Sequence, residues 1–123
     1  MKFYDWNKVA KSYSNDGYSR GVAASDNLMM AHVSLEAGAI TSSHNHTYEE
    51  IVYVVRGRWK ITLGNESIEL GANQTLVVPA NVEHSSVALE ETLAVVCTSF
   101  RPEWKDDSDC WLHYNAENHL WAV

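Results

Sequence analysis

Two imidazoles and a carboxylate stand at even spacing in the stretch from Gly38 to Gly57: His44, His46 and Glu50. Successive side chains of a β-strand alternate between faces, so residues 44, 46 and 50 can all point the same way. Groups of this kind converging on one spot suit a divalent metal ion. A His-x-His pair alone is a weak signal, because histidines two apart also occur on solvated strands. The segment Pro79-Ala80-Asn81-Val82-Glu83-His84 strengthens it by setting a further ligand-type residue, His84, at the start of a later strand. Three imidazoles and one carboxylate suit Zn, Fe, Ni, Mn or Cu, and an octahedral ion keeps positions open for substrate or water. Glu49 is the competing carboxylate; parity sends it to the opposite face, which assigns it to the surface or to a supporting role.

The elements that must position these residues read as short strands. Leu28 to Leu35 is apolar and strand-like, and Gly21-Val22-Ala23-Ala24 reads as a short strand or irregular arm. Ser42 to Val55 reads as one long strand or a bent pair, apolar on both faces from Ile51 to Val55 and therefore covered on both sides. Arg58 to Leu63 alternates cleanly, and with Gly57 as the turn the two segments read as a hairpin. Ser67–Leu70, Gln74–Val78, His84–Leu89 and Thr92–Thr98 follow, separated by turn residues. Short strands with turns every few residues, and no amphipathic helix before residue 100, predict a β-sandwich, jelly roll or barrel. The tail from Arg101 to Val123, with Trp104, Trp111 and Trp121, is expected to be a short irregular, helical or edge segment, or a flap over the barrel mouth.

Composition narrows the partners. A chain of 123 residues with 46% apolar and 20% charged residues is expected to form one domain, 1–123, with a real core. A net charge of −7 and the lack of any Lys/Arg cluster argue against nucleic acid and anionic membrane. Met1 to Lys8 lacks the apolar region of a signal peptide, and no run approaches the ~18–20 apolar residues of a membrane span, so a cytoplasmic protein is expected. Cys97 and Cys110 fit unpaired thiols in a reducing compartment. Apolar Ile51, Tyr53 and Val55 face outward and need cover, from a homodimer partner, the tail or the N-terminal arm.

The spacing resembles the two signature motifs of the cupins. The form G-x5-H-x-H-x3-E-x6-G is met by Gly38, His44, His46, Glu50 and Gly57. The form G-x5–7-P-x-G-x2-H-x3-N is met by Gly71, Pro79 and His84, with Asn81 where Gly is usual and Ala88 where Asn is usual. Asn tolerates the positive φ that Gly takes there, and the missing Asn is not a ligand in the family pattern. The resemblance implies an all-β, double-stranded β-helix (a jelly-roll barrel) with His44, His46, Glu50 and His84 as ligands to one divalent transition metal. Tyr48 shares the inward parity and is a candidate catalytic residue lining the pocket. Ser86 shares the face of His84. His32, in an apolar strand, is read as a hydrogen-bonded core residue.

A narrower resemblance covers Val77 to Thr92 and the following Phe100-Arg101-Pro102-Glu103-Trp104. It is similar to the small single-domain cupins of pectin degradation, which process unsaturated uronates into linear keto sugars. That implies a metal-dependent lyase, isomerase or cyclase acting on a small carboxylated or sugar-derived molecule, with Arg101 as a second catalytic candidate that binds the carboxylate. The family's acidic residue shortly before the last-strand Phe is absent from Val95-Val96-Cys97-Thr98-Ser99-Phe100. An acid/base must then come from Tyr48, Glu103 or metal-bound water. An Fe-dependent dioxygenase and a non-catalytic metal- or ligand-binding module are the alternatives.

Overall fold

Period-two burial builds the elements of this chain. In the computed structural model, which describes residues 1–14 and 16–99, ten strands follow one another. They are β1 (Ser12–Tyr13), β2 (Tyr18–Ala24), β3 (Leu28–Leu35), β4 (Ile40–His44), β5 (Glu50–Arg56), β6 (Arg58–Leu63), β7 (Glu66–Gly71), β8 (Gln74–Val78), β9 (His84–Ala88) and β10 (Thr92–Ser99). β3 buries Met29, Ala31, Val33 and Leu35, and β10 buries Thr92, Ala94, Val96 and Thr98, each at every second residue. A side chain that alternates in this way fits a pleated sheet with one face toward a core.

The pairings are nested. β3 pairs with β10, β4 with β9, β5 with β8, and β6 with β7, all antiparallel. From β3 onward the chain is thus a single long hairpin whose tip is the β6–β7 turn. Rolled up, it gives a six-stranded sheet ordered β1-β2-β3-β10-β5-β8 against a four-stranded sheet ordered β4-β9-β6-β7. This is the jelly roll expected from the sequence. Val22, Val33, Val52, Val54, Ile61 and Leu70 belong to the core between the sheets. Full burial of such a side chain contributes ~1.5–3 kcal/mol, enough in sum to hold the roll closed. Among the described residues no helix is long and apolar enough to cross a membrane.

One sequence expectation is corrected here. β5 and β6 do not form a hairpin: β5 lies in the larger sheet between β10 and β8, whereas β6 lies in the smaller one between β9 and β7. Gly57 is therefore a corner between sheets. Its φ is +100°, and a Cβ there would run into the Glu91 carbonyl oxygen and stand 2.7 Å from Thr92 Cα, so glycine is required twice over. Of the two readings of Ser42–Val55, one long strand or a pair, the structure has the pair, because residues 45–49 carry the chain from β4 in one sheet to β5 in the other.

The outer face of the larger sheet carries Ile51, Tyr53 and Val55, exposed by 48%, 38% and 39%. At its other end the N-terminal arm packs on β2, where a Cβ on Gly21 would meet Val9 Cγ1 at 3.0 Å and Trp6 Cζ3 at 3.5 Å. His32 faces this arm, its ring stacked on Trp6 at 4.8 Å, so it is not the hydrogen-bonded core residue expected. Its Nδ1 is buried with no hydrogen-bond partner among the described residues. Arg101, Glu103, Cys110, His113, His119 and the tail tryptophans lie outside the described residues.

Candidate metal centre

The nested pairing brings the two ends of the candidate site together. β4 and β9 are neighbours, and His44 and His84 are Cα partners across them, after a register irregularity that follows Thr41. Their rings lie 4.2 Å apart. His46 sits just beyond β4, and its carbonyl accepts the backbone N–H of Asn81 at 2.7 Å. Asn81 has φ +65°, the left-handed conformation expected of the residue that replaces Gly there. The His46 ring closes the triangle at 5.6 Å from His44 and 4.7 Å from His84.

The same local device orients every ring. Nδ1 of His44 donates to the Ser42 carbonyl, that of His46 to the Tyr48 carbonyl, and that of His84 to the Val82 carbonyl, each at 2.8 Å. A carbonyl can only accept, so each ring is fixed as the Nδ1–H tautomer and its Nε2 carries a lone pair. Ligand atoms of the three imidazoles all lie within 4.8 Å of one another. His84 is buried, and its Nε2 has no hydrogen-bond partner among the described residues. Converging lone pairs on buried nitrogens are costly without an acceptor of electron density, and a metal ion is one. The residues present therefore fit a transition metal.

Glu50 opens β5, half-buried, with Oε1 3.6 Å from His46 Nε2. It borders the centre without belonging to the tight three-histidine group. Strand parity does not by itself set the direction of Glu50, since the loop 45–49 intervenes between His44 and Glu50. Glu49 is exposed, as parity predicts. Tyr48 stacks on the His46 ring at 3.9 Å and 9° between planes, and it lines the adjoining cavity.

A residue that sequence reasoning passed over braces the centre from outside. The Glu83 carboxylate accepts hydrogen bonds from Ser43 Oγ and Asn45 Nδ2, both at 2.9 Å. Those donors flank His44, while Glu83 itself precedes His84, so one side chain clamps the two histidine-bearing segments together. The hydrogen bonds from Asn45 and Ser43 hold its pKa below the usual carboxylate value. Its one sequence signal is adjacency to His84.

Behind the histidines a cavity of about 490 Å³ runs between the sheets. Its walls are apolar at Ala31, Val33, Val52, Val78 and Val96, and polar at His44, His46, Tyr48, Glu50, His84 and Ser86. The size and the mixture are those of a small-molecule site. Arg20, Trp59 and Tyr18 also line it.

Fold and centre together define a small jelly-roll barrel with a three-histidine metal-binding geometry at its mouth. The cupin domain family matches residues 31–100, and the chain belongs to that family. Among its relatives is the pectin degradation protein KdgF of Dickeya dadantii, 32% identical over 93 residues that cover 74% of this chain and 84% of that protein. The structure of KdgF from a Halomonas species superposes with a TM-score of 0.76 at 28% identity, over 82% of this chain and 97% of that one. Oxalate decarboxylase of Bacillus subtilis, a protein with Mn(II) centres, shares the fold: TM-score 0.72 at 22% identity, over 84% of this chain and 31% of that one.

Proposed function

We propose that this protein is a metal-dependent enzyme of the lyase or isomerase type that acts on a small carboxylated or sugar-derived molecule, as in the ring opening of an unsaturated uronate. The observation that carries the reading is the convergence of three Nδ1–H histidines, ligand atoms within 4.8 Å, on the mouth of a 490 Å³ cavity. The likeness to pectin degradation proteins over most of both chains supports the choice of substrate class.

His44, His46 and His84 would hold one divalent ion, with Glu50 placed to join from beside His46. Bound there, the ion would supply Lewis-acid polarisation of a substrate oxygen. The chain's own residues do the rest. The backbone carbonyls of Ser42, Tyr48 and Val82 keep the rings in the ligating tautomer. Apolar walls exclude water from the bound molecule. Tyr48, held flat against His46, presents a phenol that can give or take a proton at the cavity mouth. The inward residues of β10 are Thr92, Ala94, Val96 and Thr98, so the last strand offers no carboxylate and leaves Tyr48 the foremost acid/base candidate among the described residues.

The test pairs metal analysis with two assays on the purified protein. A bound divalent ion, loss of the ultraviolet absorbance of an unsaturated uronate and no oxygen uptake are expected, with turnover falling at least tenfold in Tyr48→Phe. Iron with oxygen consumption would make it an oxygenase instead. Firm metal binding with turnover of neither kind would make it a binding module.

A further inference from the structure

The outer face of the larger sheet, on the side away from the cavity, is covered over part of its width. The N-terminal arm lies over β2 and β3, where Trp6 stacks on His32 and Val9 approaches Gly21. Beyond the arm the strand registers line up apolar side chains in rungs. Met30, Cys97, Ile51 and Val77 stand level across β3, β10, β5 and β8, and Tyr53 stands level with Val95 and Thr75. Leu28, Met30, Ile51, Tyr53, Val55 and Val77 are exposed by 38–66%. Together they leave roughly 500 Å² of apolar surface open, at the upper end of what monomers carry and more than half of the ~800 Å² that each partner of a stable pair covers.

The charges around that surface say what fits it. The chain has 16 Asp and Glu residues and a net charge of −7, yet β3, β8 and β10 contain no Asp, Glu, Lys or Arg. A second copy brings the same −7, and like charges set face to face repel, so copies meet most readily where acids are kept off the surface. Two charges do border the patch, at opposite ends of β5. Glu49 is exposed one residue before the strand begins. Arg56 is exposed at its end, level with Leu93 and lining a shallow hollow with Ser19 and Ser34 of this same face. Neither side chain has an ion pair or hydrogen bond among the described residues. With opposite signs at the two ends of one strand, the face complements itself when turned end over end.

We infer that a second copy of this chain covers the patch, outer face on outer face, across a two-fold axis level with Tyr53. Such an axis runs β5 antiparallel over the same strand of the partner and sets Ile51 against Val55. It places Glu49 against Arg56 of the partner subunit, once at each end of the interface. Glu49 lies four residues from Tyr53 and Arg56 three, so the two charges match in height to within one residue, ~3.3 Å. The phenol of Tyr53 already donates to Asn73 Oδ1 at 2.9 Å, so burial at the axis orphans no polar group there. The interface uses the face of β5 opposite to Glu50, and it stands whether or not the proposed activity does.

Sedimentation equilibrium of the full chain tests it, and the wild type should run at twice the chain mass. Ile51→Lys sets an ammonium in the middle of the patch and should raise the dissociation constant by about tenfold or more. Glu49→Arg and Arg56→Glu each bring like charges together and should weaken the dimer severalfold, and the double exchange should recover it. Circular dichroism checks the fold of each variant; where Ile51→Lys fails that check, the charge exchange decides. A wild type that stays at one chain mass up to about 100 μM overturns the dimer. Should Ile51→Lys then also lower the denaturation midpoint of that monomer, residues 100–123 rather than a second copy would be the cover. A dimer that Ile51→Lys leaves intact overturns this face as the interface. A double exchange no better than the single ones overturns the axis at Tyr53.

Discussion

Two histidine environments in this barrel start from the same ingredients and end in opposite roles. At the mouth, His44, His46 and His84 each give Nδ1–H to a backbone carbonyl two residues away and turn Nε2 toward one another. On the outer face, His32 lies flat on Trp6, and its Nδ1 has no hydrogen-bond partner among the described residues. The first three stand at or just beyond strand ends, where a carbonyl two residues along can turn toward the ring. His32 stands mid-strand, level with Gly21 on one side and Val95 on the other, where neighbouring carbonyls belong to the ladder. What lets a histidine present a free Nε2 for a metal here is the freed backbone near a strand end. Burial alone leaves it a flat apolar surface for an aromatic ring.

The comparison breaks outright if the mouth can lose a histidine and keep its ion. His84→Ala removes the one buried ligand and should abolish stable metal binding, read as metal per chain by mass spectrometry; full retention would sink the three-histidine centre. Next in size, Glu83→Ala deletes the clamp between the two ligand segments. Outer partners of metal ligands typically count for ~10–100-fold in metal affinity, and the lower part of that range is expected for an exposed clamp. Competition with a chelator measures it, and Glu83→Gln, which keeps an acceptor for one of the two donors, should lose less.

Both motifs were legible in the sequence because ligands and glycines keep fixed spacing, and the strands were legible because burial alternates. Gly57 shows where that reading stops. A glycine between two strand-like runs fits a hairpin turn or a corner between sheets, and the choice rests on Glu91 and Thr92, more than thirty residues away in sequence, closing over it. His32 was misplaced for the same kind of reason: parity fixes that it opposes Ala31 and Val33, but which face a Trp from the N-terminal arm will cover is a tertiary fact. Glu83 was passed over since its partners Ser43 and Asn45 become neighbours only when β4 pairs with β9. Arg20 has no motif, and its place in the cavity follows from the register of β2 on β3.

On the outer face the expected effects are on stability, with the metal untouched. Gly21→Val pushes new atoms into Val9 and Trp6, which already stand 3.0 and 3.5 Å from where a Cβ would be. Overpacking of this sort costs ~1–3 kcal/mol, read as a lower denaturation midpoint at unchanged metal content. A loss of metal in this variant would show the two regions to be coupled and weaken the contrast between them.

The smallest effect is the most specific to His32. Its pKa is lowered, first by burial and then by the cations Lys11 and Arg56, so the fold favours the neutral ring. In the unfolded chain the same ring takes its proton near 6.5. As pH falls below that value the unfolded state binds the proton first, so the contribution of His32 is present above about 6.5 and is lost as pH drops toward the lowered folded value. His32→Phe keeps the flat face against Trp6 and cannot titrate. Denaturant midpoints at neutral and mildly acidic pH, taken with the metal chelated so that the mouth histidines contribute no metal-linked change, should therefore differ less in His32→Phe than in the wild type. An equal acid loss in both would make His32 a packing residue with no part in the pH response.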